Sequence, residues 1–115
     1  MPPTTSFEFG DIVLVPFPFT NQAGTKRRPA VVVSSAACNQ NFPDVVLMAI
    51  TSQAQKDSGF HLPITGWKKA GLIGPSTIKP VLATFEKSLL LRRLGRLKRP
   101  DRLALESLLR RVLSP

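Results

Sequence analysis

The first half of the chain alternates short apolar runs with polar, turn-forming clusters. Ile12-Val13-Leu14-Val15, Pro29-Ala30-Val31-Val32-Val33-Ser34 and Val45-Val46-Leu47-Met48-Ala49-Ile50-Thr51 are brief and rich in β-branched residues, a pattern that predicts strands of a compact all-β domain. The second and third runs are apolar throughout, so both are expected to be central and buried on two faces. Pro16 and Pro18 interrupt the first run; since proline donates no ladder bond, that segment should leave the sheet or follow an edge near Pro16.

Between these runs, Thr20 to Arg28 is polar and contains Gly24, which predicts an exposed loop with Lys26 and Arg27 in solvent. The segment with Asn39, Asn41 and Pro43 is expected to be a second loop, and Gln53 to Gly59 a third. Phe60 to Ile64 alternates weakly and contains Pro63, the mark of an edge or broken strand. After the loop holding Gly66, Gly71 and Gly74, strand character resumes from Thr77 to Phe85, and Leu89 to Leu97 predicts one more short strand.

Only the C-terminal segment has a helical period. Leu105, Leu108, Leu109, Val112 and Leu113 form one apolar stripe. Pro100 suits the first helical position, Asp101 the positive end of the dipole, and Arg110 and Arg111 the negative end. Glu106 is spaced to pair with Arg102 and Arg110. With no repeat and no shift in composition, residues 1–115 read as one domain, a β-barrel closed by a terminal helix.

Charge narrows the function. Sixteen Lys and Arg against seven Asp and Glu give a formal net charge of +9, and so strong a field on so small a domain attracts polyanions, with nucleic acid first and an acidic protein second. One cysteine, Cys38, and one histidine, His61, are too few for a disulfide framework or a closed zinc site. No metal or other cofactor is expected. The opening Met1-Pro2-Pro3-Thr4-Thr5-Ser6 is unlike a secretory signal, and no run has the length of a membrane span, so a cytoplasmic protein that does not enter membranes is expected.

The ordered blocks Gly10-Asp11-Ile12-Val13-Leu14-Val15, then Arg28-Pro29-Ala30-Val31-Val32-Val33-Ser34 after a polar loop, then Ile50-Thr51-Ser52-Gln53, Gly71-Leu72, Ser76-Thr77-Ile78-Lys79 and Leu94-Gly95-Arg96-Leu97 resemble those of MazF/PemK toxins. The resemblance runs from about Phe9 to Leu113. It implies a small SH3-like half-open β-barrel of the CcdB/MazF type with a C-terminal α-helix, a homodimer, metal-independent cleavage of single-stranded RNA, and neutralisation by an acidic cognate antitoxin. The toxin–antitoxin complex would have its own operator DNA as a further ligand. Position 76 is Ser where some relatives carry Asp, and residues 20–27 carry no acid, so the resemblance leaves the RNA motif open.

RNA can be cut without a metal because the ribose 2′-hydroxyl already stands beside the phosphorus. A protein need only accept that proton, protonate the leaving 5′-oxygen and stabilise charge on the phosphoryl oxygens. The resemblance implies Arg28 and Thr51 as catalytic residues. A guanidinium can fork two hydrogen bonds to phosphate and stays charged, and Thr51 would donate its hydroxyl. Ser52, Gln53, Lys26, Arg27, Ser76 and Lys79 are expected to bind substrate, the cations by neutralising phosphates, and Trp67 by stacking on a base. Phe17 and Phe19 are further stacking candidates, as readily core. His61 is a candidate proton shuttle by its ordinary pKa, and Glu8 and Glu86 are possible bases, though a solvated role suits all three as well. Two other readings fit the barrel: a non-catalytic CcdB-like poison of DNA gyrase, and a plain nucleic-acid-binding barrel.

Overall fold

The structure is a computed structural model that describes residues 6–17, 26–53, 56 and 58–114. Six strands, β1 (Asp11–Phe17), β2 (Lys26–Val32), β3 (Asp44–Thr51), β4 (Leu62–Pro63), β5 (Thr77–Glu86) and β6 (Arg92–Arg96), pair antiparallel in the order β4-β5-β3-β2-β1-β6 and curl into a half-barrel. Helix α1 (Ala36–Asn41) links β2 to β3, and helix α2 (Arg99–Val112) follows β6.

Side-chain alternation on β2 and β3 supplies two cores at once. Ile12, Val31, Met48, Ile50 and Ile78 point to one face, where Leu105 and Leu108 of α2 close over them. Val13, Val15, Ala30, Val32, Leu47 and Ala49 point to the other, with Phe7 and Val45. Both runs are therefore buried on two faces and central, as their unbroken apolar sequence predicts.

Three prolines sit where the ladder tolerates them. Pro16 lies beyond Leu14, the last β1 residue paired with β6, so β1 has one partner there. Pro29 follows the same logic, because β2–β3 pairing runs only from Val32–Leu47 to Ala30–Ala49. Pro80 falls inside the register shift between Met48–Leu82 and Ile50–Ile78 on β5, where a bulge leaves residues unpaired.

Several expectations are corrected. Lys26, Arg27 and Arg28 are not loop residues but the start of β2, opposite Phe17, Pro16 and Val15. The expected loop around Asn39 holds α1, whose N-cap Ser35 hydroxyl accepts from the Cys38 amide at 3.2 Å. The expected short strand within Leu89 to Leu97, ending near Gly95, is β6, which ends at Arg96 and follows a 3-10 turn over Lys87–Leu89. Helix α2 begins one residue before Pro100, and Arg102 donates to the Leu97 carbonyl at 2.7 Å rather than serving Glu106. Phe19, Gly24 and residues 20–25 of the expected loop lie outside the described residues, as do 54, 55 and 57 of the loop after β3.

The connection between β4 and β5 is fastened twice. Gly71, at φ +97°, and Gly95 pack backbone against backbone: a Cβ on Gly71 would stand 2.2 Å from the Leu94 carbonyl oxygen, and one on Gly95 2.0 Å from that of Ala70. Buried Asp101 of α2 accepts hydrogen bonds from the Thr65 amide (3.1 Å), the Thr65 hydroxyl (2.8 Å) and the Gly66 amide (2.9 Å). Its carboxylate is a staple between helix and loop, a stronger role than the dipole preference read from sequence.

Candidate nucleic-acid interface

One end of the half-barrel gathers the start of β2, the exit of β3, the start of β5 and the end of β4. The β2–β3 register pairs Ala30 with Ala49, and extending it by two residues sets Arg28 opposite Thr51. Strand alternation gives both the same face, since Arg28 shares parity with Ala30 and Val32, and Thr51 with Leu47 and Ala49. Thr51 in turn pairs with Thr77, and Thr77 with Pro63. Thr51, Thr77 and Pro63 thus form a row across three strands, which the continued register carries on to Arg28.

Within that row Arg28 is half-buried, with its Nε shielded from water, so its guanidinium is held by its surroundings. Thr51 is 8 % exposed, and its hydroxyl oxygen accepts from the Gln53 amide at 3.2 Å. That bond occupies a lone pair and leaves the O–H as a donor. Lys26 and Arg27 extend the row's cationic side and are exposed. Lys79 stands two residues beyond Thr77 on β5, at the register shift that follows Ile78.

Beside the row is a pocket of about 440 Å³, whose lining includes Ser52, Gln53, Trp67, Ser76, Thr77 and Pro63. Four residues expected to bind substrate therefore converge although they come from three separate segments. The Ser76 hydroxyl donates to the Gly74 carbonyl at 2.9 Å, which turns its lone pairs toward incoming donors. Trp67 is half-buried and packed against the helix-covered core.

Other candidates are not part of this arrangement. Glu8 pairs with Arg96 at 3.0 Å, and Glu86 pairs in register with Asp44 at the opposite end of the strands. His61 precedes edge strand β4, shares a 2.7 Å hydrogen bond with Ser58 through Nδ1 and does not line the pocket. Phe17 ends β1 opposite Lys26. What sequence reasoning missed is Thr65, Pro75 and Thr77 as pocket walls, and Asp101 as the group holding one wall; none carries a local signal, because each acts through a neighbour distant in sequence.

The class of protein the fold defines is a small basic half-barrel with cations and hydroxyls collected at one end of its strands. The family described as PemK-like, MazF-like toxin of type II toxin-antitoxin system matches residues 8–113, and the chain belongs to that family. No curated protein matches it in sequence. The solved structures it resembles share the fold. An endoribonuclease in complex with its cognate antitoxin from a mycobacterial species is 17 % identical with a TM-score of 0.71, the match covering 97 % of this chain and 100 % of that one. The Mycobacterium tuberculosis toxin MazF-mt6 is 18 % identical with a TM-score of 0.74, covering 89 % and 94 %. A chain of the Deinococcus radiodurans MazE-MazF structure is 24 % identical with a TM-score of 0.69, covering 90 % and 92 %. Among the described residues no helix is long and apolar enough to cross a membrane.

Proposed function

We propose that this chain is the toxin of a type II toxin-antitoxin pair and a metal-independent, sequence-specific endoribonuclease acting on single-stranded RNA. What supports the reading is the pairing of Ala30 with Ala49, a register that, continued two residues beyond the paired stretch, sets Arg28 opposite Thr51 at the basic end of the sheet. An in-line attack by the 2′-hydroxyl needs donors around the phosphoryl oxygens more than it needs a protein nucleophile. The Arg28 guanidinium supplies a planar fork for two of those oxygens, and the Thr51 hydroxyl supplies a third donor. Lys26, Arg27 and Lys79 neutralise flanking phosphates, and Ser52, Gln53, Ser76 and Trp67 contact the nucleotides. The products are a 2′,3′-cyclic phosphate and a 5′-hydroxyl.

Partners follow from the same surface. An acidic, partly disordered antitoxin segment that folds on binding complements a charge of +9 and would cover the substrate path. A homodimer and operator binding by the toxin–antitoxin complex complete the reading, with the cytoplasm as the compartment where RNA and antitoxin are met.

The deciding experiment incubates purified protein with a long unstructured RNA in EDTA, maps the cut sites and types the ends. Discrete cuts bearing cyclic phosphate are expected. Intact RNA with salt-sensitive binding would instead indicate a plain binding barrel, and intact RNA with inhibited DNA gyrase a CcdB-like poison.

A further inference from the structure

A second group of cations forms where two segments distant in sequence meet. Lys68 and Lys69 lie in the turn between Gly66 and Gly71, and Lys98 and Arg99 open α2; all four are exposed. The junction is close, since a Cβ on Gly66 would stand 3.5 Å from Lys98 Cγ and 3.4 Å from Asp101 Oδ2. None of the four side chains has an ion-pair or hydrogen-bond partner among the described residues. The acids are engaged or elsewhere: Glu8 and Asp11 hold Arg96 and Arg93, and Asp44 and Glu86 pair at the far end of the strands. Glu106 stands about two turns along α2 from Arg99. Like charges gathered without a counter-ion repel, yet the buried Asp101 carboxylate keeps the two segments together by accepting from the Thr65 and Gly66 amides at 3.1 and 2.9 Å.

This cluster is continuous with the candidate site. Thr77 pairs with Thr51, and Thr77 shares a pocket with Thr65 and Trp67, whose turn carries Lys68 and Lys69 as its next residues. A polyanion leaving the strand ends along that wall meets these cations next. The cluster also offers charge without readout: Lys68-Lys69-Ala70 and Lys98-Arg99-Pro100 supply no aromatic ring, amide side chain or carboxylate. Such a surface holds a sugar–phosphate backbone whatever its sequence.

We infer that Lys68, Lys69, Lys98 and Arg99 form an exosite for the RNA backbone on one side of the scissile phosphate, separate from the groups that act at the cut. The exosite rests on the nuclease reading proposed above and adds a length requirement to it. RNA that extends past the cut toward the cluster is held more tightly than RNA that stops short of it, and extension of the opposite flank gains nothing from these four residues.

The test measures binding of a long, mixed-sequence 2′-O-methyl oligoribonucleotide, which lacks the attacking hydroxyl, by anisotropy over a series of salt concentrations. Wild type is compared with a variant combining Lys68→Gln, Lys69→Gln and Arg99→Gln; Lys98 is kept because its stem packs beside Gly66. The slope of log affinity against log salt should become shallower by about 2, since each backbone contact to a single strand contributes roughly 0.7. A control combining Lys87→Gln, Arg92→Gln and Arg110→Gln removes the same charge from other exposed positions and should leave the slope as it is. In cleavage, lengthening the RNA on one side of a mapped cut should lower KM with kcat unchanged, and the cluster variant should lose that gain. An unchanged slope in the cluster variant, an equal change in the control, an equal gain from both flanks, absence of RNA binding, or cluster-dependent binding of polyglutamate but not of RNA would each overturn the exosite. The binding measurement needs no cleavage. A shallower slope with unmodified RNA left whole would keep the cluster as a backbone-binding surface and remove the nuclease; cleavage with an unchanged slope would do the reverse.

Discussion

The arginines at the two ends of the sheet sit among different neighbours. Where β1 begins, the Asp11 carboxylate is fully buried and receives Arg96 Nε at 2.8 Å, Arg93 Nη2 at 3.2 Å and the Glu8 amide at 2.9 Å. Arg93 also reaches the Ser6 carbonyl and lies over the Phe7 ring at 5.3 Å. There the guanidinium charge is spent inside the protein, binding the N-terminal segment to β6. Where β1 ends, Lys26–Arg28, Thr51–Gln53 and Ser76–Lys79 contain no acidic residue at all. Cations gathered beside hydroxyls suit the anionic substrate proposed above. The same side chain that serves the fold at one end would serve that substrate at the other.

The largest effect should come from breaking the clamp. Asp11→Ala strips two arginines and an amide of a buried acceptor and should cost about 3–5 kcal/mol of stability, read as a fall in the denaturation midpoint. RNA cleavage per folded molecule should stay the same. If cleavage fell in step with a fully folded Asp11→Ala protein, the two ends would not be independent.

The complementary change is Arg28→Ala. It should reduce cleavage roughly 100- to 1,000-fold, the usual consequence of removing one donor to a developing oxyanion, while the denaturation midpoint moves little. Arg28→Lys should recover only part of the rate, because an ammonium cannot fork. A variant that lost stability rather than rate would make Arg28 a second structural clamp.

Sequence reached the two ends unequally. The central strands were legible because β2 and β3 are apolar on both faces, and α2 because five residues share one stripe. Thr51, Ser52 and Gln53 were legible as the polar end of an apolar run, and β3 ends at Thr51. Lys26–Arg28 read as loop because Thr20 to Arg28 is polar and contains Gly24; pairing with Val15, Pro16 and Phe17 of β1 makes them strand, and since pairing to β3 stops at Ala30, Pro29 interrupts nothing. Helix α1 is six residues long, too short for a period to be visible. The pocket was half legible: Trp67, Gln53 and Ser76 were candidates one by one, but their convergence depends on Asp101 reaching a loop 35 and 36 positions away, and no local pattern announces that.

That staple gives the third prediction. Asp101→Asn keeps the shape but replaces one acceptor by a donor facing the Gly66 amide, and should cost about 1.5–3 kcal/mol while shifting Trp67 emission toward that of a solvated indole. A stability loss with unaltered emission would mean that α2 supports the barrel without shaping the pocket.

The smallest effect returns to the clamp and separates its two arginines. The Arg96 pKa is raised above the usual arginine value, chiefly by its hydrogen bond to Asp11 and then by that carboxylate's charge, with Glu8 adding less. A cation whose folded pKa is raised stabilises the fold fully below its unfolded pKa and loses that contribution only as pH climbs through the folded value. The Arg96 contribution should therefore be constant across the neutral and mildly alkaline range. Its side chain is 45 % exposed, so screening limits the worth of the pair to no more than about 1 kcal/mol. Arg96→Met, which keeps the stem and leaves Arg93 on Asp11, should lower the urea midpoint slightly and by the same amount at neutral and mildly alkaline pH. A difference that disappeared on mild alkalinisation would show that some group other than this guanidinium holds β6 to the start of β1.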